Sequence, residues 1–336
     1  MWTVAAPCEE RISLHALRGS TLAVDLAGWV VQNNTAPGLG SGAVTRPHLR
    51  NIFFRVQALV NIDILPIVVL DGAVPKEKAE TVRARNALAW GARPTTESPK
   101  RQQRRQFSGV LRDCARLLAS LGVPTITAPG EAEAFCAALN AAGLVDAVVS
   151  DDSDCFCYGA KTVLRNFSVS PGQFCAARYT AARLEAEVGL SRERMVVMAI
   201  VLGCDYSPGV AGLGREALVR LFASWGLPRS GELERVVGWR EAGPAPHALS
   251  KPVHCGTCGH PGSLAQHRRG GCGQCGPGDC REGEDCNCTY HQPAAQAELA
   301  EWRVRSKAVT TPDWPFKTVV KEFYRLKTFK IHFNSN

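Results

Sequence analysis

Three short apolar runs in this chain each close on an acid: Thr21-Leu-Ala-Val-Asp25, Ile64–Asp71 and Val145–Asp152. Short apolar runs bounded by turn residues read as buried strands. Val123–Ala128 has the same character. Segments of helical period lie between them. Pro47–Asn61 carries Leu49, Ile52, Val56 and Leu59 on one face, and Phe107–Leu121 carries Val110, Leu111, Cys114 and Leu118. Gly130–Ala142 is Ala-rich and is stopped by Gly143. Alternating strands and helices require a mostly parallel sheet with helices on its faces. In such a sheet the carboxyl ends of the strands share one edge, where ligands bind. Asp25, Asp71 and Asp152 are therefore expected at one crevice. Glu131, Glu133 and Asp154 are near that edge in sequence, and Asp205 follows the apolar run Met195–Cys204.

A single acid after a strand commonly caps a turn. Three such acids, joined by Glu131-Ala-Glu133 and Asp152-Ser-Asp154, repel strongly unless cations intervene. Oxygen-only ligation suits Mg²⁺ or Mn²⁺ rather than Zn²⁺. Two such ions about 4 Å apart would stabilise a phosphodiester displacement. Asp151-Asp-Ser-Asp154 lacks the glycine and terminal glutamate of an EF-hand loop. Glu131 and Glu133 would point about 200° apart on an ideal helix, so both can face one site only if the helix starts there.

Charge is divided unevenly. Lys and Arg number 39 against 31 Asp and Glu, a net charge of +8. Residues 76–116 contribute +7 and residues 303–336 contribute +6, leaving −5 elsewhere. Two basic stretches with an acidic remainder point to a polyanionic partner held at the basic parts. Lys78 and Arg85 are seven residues apart, two helical turns, and so share a face. Lys100–Arg105, with Arg101, Arg104 and Arg105, suits phosphate contacts that read no base sequence. Arg93–Lys100 is a loop by composition. No apolar run approaches a membrane span, and Glu9, Glu10 and Arg11 interrupt any signal-peptide core.

The 14 cysteines fall into two populations. Cys8, Cys114, Cys136, Cys155, Cys157, Cys175 and Cys204 lie in apolar segments and read as buried free thiols. The other seven lie within 255–288. Cys255-x-x-Cys258 and Cys272-x-x-Cys275, 13 residues apart, have the spacing of a structural zinc ribbon. Cys280, Cys286, Cys288, His260, His267 and His291 are spare ligands for one site or two. Residues 180–225 read as all-helical around a Gly-punctuated turn at 203–214. There Gly209, Gly212 and Gly214 precede Arg215, and backbone amides in such a turn can approach a phosphate closely.

The motifs Ala23-Val-Asp25, Val69-Leu-Asp71-Gly, Ala128-Pro-Gly-Glu131-Ala-Glu133-Ala, Asp152-Ser-Asp154 and Gly203-Cys-Asp205-Tyr resemble the flap-endonuclease superfamily of structure-specific nucleases. Pro47–Phe54, Tyr158–Phe167 and His254–Ser263 resemble its GEN-type, Holliday-junction-resolving branch. The resemblance implies a PIN-like α/β fold followed by a helix-hairpin-helix element and a Cys-rich insertion. The implied organisation is a nuclease half at 1–92, a basic arch or linker at 93–106, and a second nuclease half at 107–240. The helix-hairpin-helix is expected at about 195–225, the Cys/His-rich zinc segment at 251–292 and a basic helical tail at 293–336. The implied Mg²⁺ ligands are Asp25, Asp71, Glu131, Glu133, Asp152, Asp154 and Asp205, with Asp151 outside the set. Lys78 and Arg85 are implied to hold the scissile phosphate, and the glycine turn to bind duplex backbone with a monovalent cation.

The implied activity is two-metal hydrolysis of 5′ flaps and Holliday junctions in DNA repair and recombination, in the nucleus. It would leave a 5′-phosphate and a 3′-hydroxyl. A monomer in solution would dimerise on junctions. Family members begin Met-Gly and continue beyond the equivalent of Asn336, so the chain is expected to be shortened at both ends. Two rival readings are a shortened homologue that binds branched DNA without cutting, and a PIN-type ribonuclease.

Overall fold

A computed structural model describes residues 1–34, 46–73, 99–170, 172–242, 252–276, 280, 286 and 288–325. Seven strands make one sheet in the order β1-β7-β6-β5-β2-β3-β4. They are β1 Glu10–Ser13, β2 Thr21–Asp25, β3 Leu65–Leu70, β4 Thr125–Thr127, β5 Ala147–Val149, β6 Thr162–Ser170 and β7 Gln173–Thr180. Strands β4, β3, β2, β5 and β6 run parallel. β7 and β1 continue the sheet antiparallel. The strand order reverses between β2 and β5, and ligand crevices of open α/β sheets open at such a point.

The parallel strands match the sequence reading closely. The antiparallel extension through β6, β7 and β1 is the element that reading lacked. β6 hides its period because a bulge breaks its register between Arg165 and Ser168, and Asn166 takes a left-handed φ of 50°. Asp151 stabilises that bulge by accepting the Asn166 N–H at 2.9 Å. Its carbonyl accepts Trp2 Nε1–H at 2.8 Å. An acid adjoining the crevice acids is thereby committed to the backbone.

Trp29, Leu22, Val24, Ile52, Val56, Leu59, Cys114 and Leu118 are buried in one core with the sheet. The helix over Phe107–Leu121 is longer than its apolar period suggests, running Pro99–Ser120. Its start overlaps the end of the expected loop Arg93–Lys100, because proline is accepted in a first helical turn where its missing N–H costs nothing. Helix Ala132–Ala141 is buried almost all round; alanines let it lie close to the sheet. Of the thiols expected to be buried, Cys8, Cys114, Cys136, Cys155 and Cys157 are, while Cys175 and Cys204 are half-buried.

The chain divides into two units, residues 1–209 with 316–336, and residues 210–315. In the second, helix Arg215–Trp225 packs on helix Pro293–Thr310, and Trp239 stacks on Trp314 with ring centroids 6.0 Å apart. No helix among the described residues is long and apolar enough to cross a membrane.

One buried side chain ties two segments of the chain to the helix that bears it. Asn140 Nδ2 donates to the carbonyls of Val145 and Asp146, each at 3.0 Å. Its Oδ1 accepts the N–H groups of Lys161 and Thr162, at 2.7 and 3.0 Å. Truncation would orphan several backbone groups at once, at about 1–3 kcal/mol for each group left unsatisfied. Asn140→Ala is therefore expected to lower unfolding free energy by roughly 3 kcal/mol or more, measured by urea denaturation.

Candidate active site

Asp25 is the last residue of β2, Asp71 directly follows β3, and Asp152 lies three residues beyond β5. The sheet thus delivers three acids to one edge, as the sequence implies. Each is held by local backbone. Asp25 Oδ1 accepts the Ala27 N–H at 2.9 Å, and Asp152 Oδ1 accepts the Asp154 N–H at 2.9 Å. Asp71 Oδ1 accepts the Ala132 N–H at 2.8 Å. That last bond fastens β3 to the first turn of the helix bearing Glu133.

The helix starts at Ala132, with Glu131 as its extended N-cap at φ −75° and ψ 139°. The 200° problem of an ideal helix does not arise, because Glu131 is not on the helix. It is buried, at 8% exposure. Tyr158 donates to Glu131 Oε2 at 3.3 Å. Tyr206 donates to the same oxygen, and the two hydroxyls are 2.9 Å apart. Both phenols are pushed upward, first by burial and then by Tyr206 or Glu131, and stay protonated. Phe323 packs edge-on against both rings. Sequence reasoning missed these tyrosines. Tyr206 adjoins Asp205, which is a usable signal; Tyr158 carries none.

Asp205 is set by backbone-on-backbone packing. A Cβ on Gly209 would lie 2.4 Å from the Gly203 nitrogen, and one on Gly203 would lie 2.8 Å from the Pro208 carbonyl oxygen. These glycines close the loop 203–209 tightly around Asp205. Asp152, Asp154 and Asp205 then line one cavity of about 230 Å³, with Cys157, Met198 and Met1 among its other walls. Gly72 plays the same part for Asp71. A Cβ there would come within 1.9 Å of the Ala128 carbonyl oxygen, and the Gly72 N–H donates to Gly130 at 2.7 Å.

Electrostatics record the crowding. Asp25 is pushed up to about 7, mainly by burial, then by the charge of Asp71; amides of Gly28 and Ala27 oppose this, and Asp152 adds to it. The thiols of Cys136, Cys155 and Cys157 are pushed well up by burial and by the same acids. Cys204 is pushed up to about 12 by burial, with Asp154 and Asp205 contributing. These sulfurs stay protonated and are poor metal ligands, since the thiolate is the ligating form. The donors the crevice offers are carboxylate oxygens.

Other expected site residues are placed differently. Gly212 takes φ +71°, and its carbonyl accepts Lys307 Nζ–H at 2.7 Å. Gly214 is the N-cap of the helix that begins at Arg215. Arg101, Arg104 and Arg105 stand at i, i+3 and i+4 on helix Pro99–Ser120, their side chains outside the described residues. Lys78 and Arg85 also lie outside the described residues. Cys255, Cys258, Cys272 and Cys275 fall in groups that divide them differently from one ribbon site.

A family model described as the XPG N-terminal domain matches residues 1–89, and one described as the XPG I-region matches residues 122–205. The human protein Flap endonuclease GEN homolog 1 is 37% identical over 334 residues, covering 96% of this chain. The chain belongs to the flap-endonuclease superfamily and is GEN-type within it. This GEN-type chain spans 36% of that human relative's length. The Drosophila melanogaster protein Flap endonuclease GEN is 35% identical, with 96% of this chain covered and 46% of the relative. A crystal structure of human GEN1 in complex with Holliday junction DNA matches with a TM-score of 0.60 at 38% identity, over 71% of this chain and 57% of that one. The catalytic core of Rad2 in complex with a DNA substrate matches with a TM-score of 0.63 at 25% identity, over 96% and 85%. All seven carboxylates expected as ligands fall inside the two matched XPG regions, and the Cys-rich segment lies outside both.

The raised Asp25 links stability to pH. Its folded value, about 7, exceeds the usual carboxylate value of about 4. The folded state therefore binds more protons across that window, and stability falls as pH rises through it. In chelator, urea denaturation from pH 5 to 8 is expected to show a decline of at most about 1.4 kcal/mol per pH unit from this group. Asp25→Asn should flatten that decline.

Proposed function

We propose that this chain is a Mg²⁺-dependent, structure-specific endonuclease acting on branched DNA, on 5′ flaps and four-way junctions. The observation that carries the reading is the convergence of acids from the ends of separate parallel strands on one sheet edge. An oxygen-only donor set fits hard divalent cations such as Mg²⁺ or Mn²⁺. Asp25, Asp71, Glu131, Glu133, Asp152, Asp154 and Asp205 would hold two of them. Divalent cations bound there supply charge stabilisation to a phosphodiester undergoing hydrolysis.

The chain's own residues do the rest. Tyr158 and Tyr206 hold the buried Glu131 side chain by hydrogen bonds. The Asp71–Ala132 bond holds two ligand-bearing segments in register. Lys78 and Arg85, by family likeness, bind the scissile phosphate and stabilise its developing charge.

Duplex backbone would be gripped by the second unit. In the second unit the helix starting at Arg215 opens beside a cavity of about 440 Å³ lined by Gly214, Arg215, Glu216, Arg220 and Arg303, with Glu216 paired to Arg220 at 3.1 Å. A helix N-terminus flanked by guanidinium groups suits a phosphate. Gly209, Gly212 and Gly214 belong to the same turn, where a monovalent cation would also sit. Arg101, Arg104 and Arg105 add charge that follows a backbone without reading bases. Recognition would then be of branch shape and bendability. A junction presents two symmetric cleavage positions, which calls for two copies of the chain, whereas a flap needs one. The human relative's structure is of a complex with Holliday junction DNA, and the same substrate class and a nuclear location are proposed here.

The test is cleavage of labelled 5′ flaps and four-way junctions in Mg²⁺. Asp152→Asn combined with Asp154→Asn is expected to reduce cutting by ~10³-fold, matching the loss of several kcal/mol of charge stabilisation, while junction binding in a gel-shift assay persists. Cutting that survives in EDTA, or in that double variant, overturns the reading. Tight junction binding with no turnover in Mg²⁺ would instead mark a binding protein.

A further inference from the structure

Among its described residues the Cys-rich segment has no aliphatic centre. Its buried cluster consists of Cys255, Cys258 and Cys272, with Cys275 and Cys280 packed against it. Among the described residues its regular structure is one seven-residue helix, Leu264–Gly270. A segment this poor in apolar area needs cross-links to hold a fold. None of its cysteines is in a disulfide.

Three groups of four ligand atoms close within 4.8 Å: Cys255, Cys258, His267 and Cys280; Cys258, His260, Cys272 and Cys275; and His254, Cys286, Cys288 and His291. They use every cysteine and every histidine between residues 252 and 291, seven and four of them. Eleven side chains fill twelve positions because Cys258 belongs to two groups. Three tetrahedral ions need twelve positions, and a thiolate can bridge two metals. We infer that this segment binds three Zn²⁺ ions, two of them joined through Cys258.

Four further observations support it. A tetrahedral centre with ordinary Zn–S and Zn–N lengths has an S···N edge of about 3.6 Å. His260 Nδ1 lies 3.4 and 3.3 Å from the sulfurs of Cys272 and Cys275. His267 Nδ1 lies 3.5 and 3.3 Å from those of Cys258 and Cys280. The Cys288 sulfur lies 3.5 Å from His254 Nε2 and 3.6 Å from His291 Nδ1. Simple thiol hydrogen bonds do not explain this, because a ring nitrogen has one lone pair and two of these face two sulfurs each.

The imidazole tautomers are also set. His267 Nε2–H donates to the Pro261 carbonyl at 2.8 Å, and His254 Nδ1–H donates to that of Pro252 at 2.6 Å. Carbonyls only accept, so the opposite nitrogen of each ring presents its lone pair to the sulfurs, the usual outer support of a ligating histidine.

The backbone forms two matching turns. In Cys255-Gly-Thr-Cys-Gly259 and Cys272-Gly-Gln-Cys-Gly276 the last glycine takes φ +71° and +84°. Its N–H donates to the first cysteine's carbonyl, at 2.9 and 2.8 Å. Amides of Thr257 and Cys258 point at the Cys255 sulfur, and those of Gln274 and Cys275 at the Cys272 sulfur. That φ favours glycine, and the amides of both turns face a cysteine sulfur. Finally, charge nearly balances: seven thiolates and three divalent ions leave one net negative charge.

The role is structural. His291 lies two residues before Pro293, which starts the helix to Thr310. That helix packs on Arg215–Trp225 and carries Arg303 and Lys307 to the glycine turn. Zinc would anchor the helix that braces the proposed phosphate grip.

The test is metal analysis of the full chain, purified without chelator, by plasma mass spectrometry. Three zinc ions per chain are expected, and zinc release on titration with a mercurial should also total three. Cys288→Ser should lose one ion and Cys258→Ser two. One zinc or none in the unaltered chain overturns the inference, as does loss of the same single ion in both variants. If a variant fails to fold, the mercurial titration of the unaltered chain still decides the count.

Discussion

The meeting of acid-ended parallel strands at one sheet edge is the constraint on which the site of the first unit depends. A parallel sheet sends the ends of β2, β3 and β5 to one edge, and each of those strands ends on or near an acid. Gathering such charges in a partly desolvated crevice is unfavourable, and the raised Asp25 records part of the cost. Other features of the site spread or restrain that charge. Backbone amides fix Asp25, Asp71 and Asp152, two phenols fix Glu131, and Asp151 is turned to the backbone of Asn166. The arrangement suits a site whose charge is completed by bound cations.

Close backbone approach is the second constraint. Gly72, Gly203 and Gly209 sit where a Cβ would collide with main-chain atoms, so main chain packs on main chain beside Asp71 and Asp205. Side chains adjust by rotamer; packed main chain does not. The acids are therefore positioned by the least adaptable part of the protein, which is what a site requiring accurate ligand geometry needs.

The second unit is held differently. Helices Arg215–Trp225 and Pro293–Thr310 pack conventionally, with Trp239 bonded to Glu301 at 3.1 Å and Arg235 paired to the same glutamate. The segment between them in the chain substitutes sulfur and imidazole for a hydrocarbon core. One chain thus uses carboxylates where hard cations fit and thiols where zinc fits. The crevice thiols stay protonated through burial beside acids, which keeps the two chemistries apart.

Much of this was legible in the sequence. Acid-terminated apolar runs, helical periods and the Cys-x-x-Cys spacings are local patterns, and local patterns report strands, helices and ligand-bearing turns. They determined the parallel strands, the crevice acids and the presence of a Cys/His segment. Partners far apart in the chain were decided by tertiary structure alone. Tyr158 meets Glu131 across 27 residues. The bulged β6 joins β7 and β1, and His260 rather than Cys255 completes the group around Cys272 and Cys275. The physical reason is that periodicity encodes which face a residue takes. Which distant face it meets is set by packing of the whole chain.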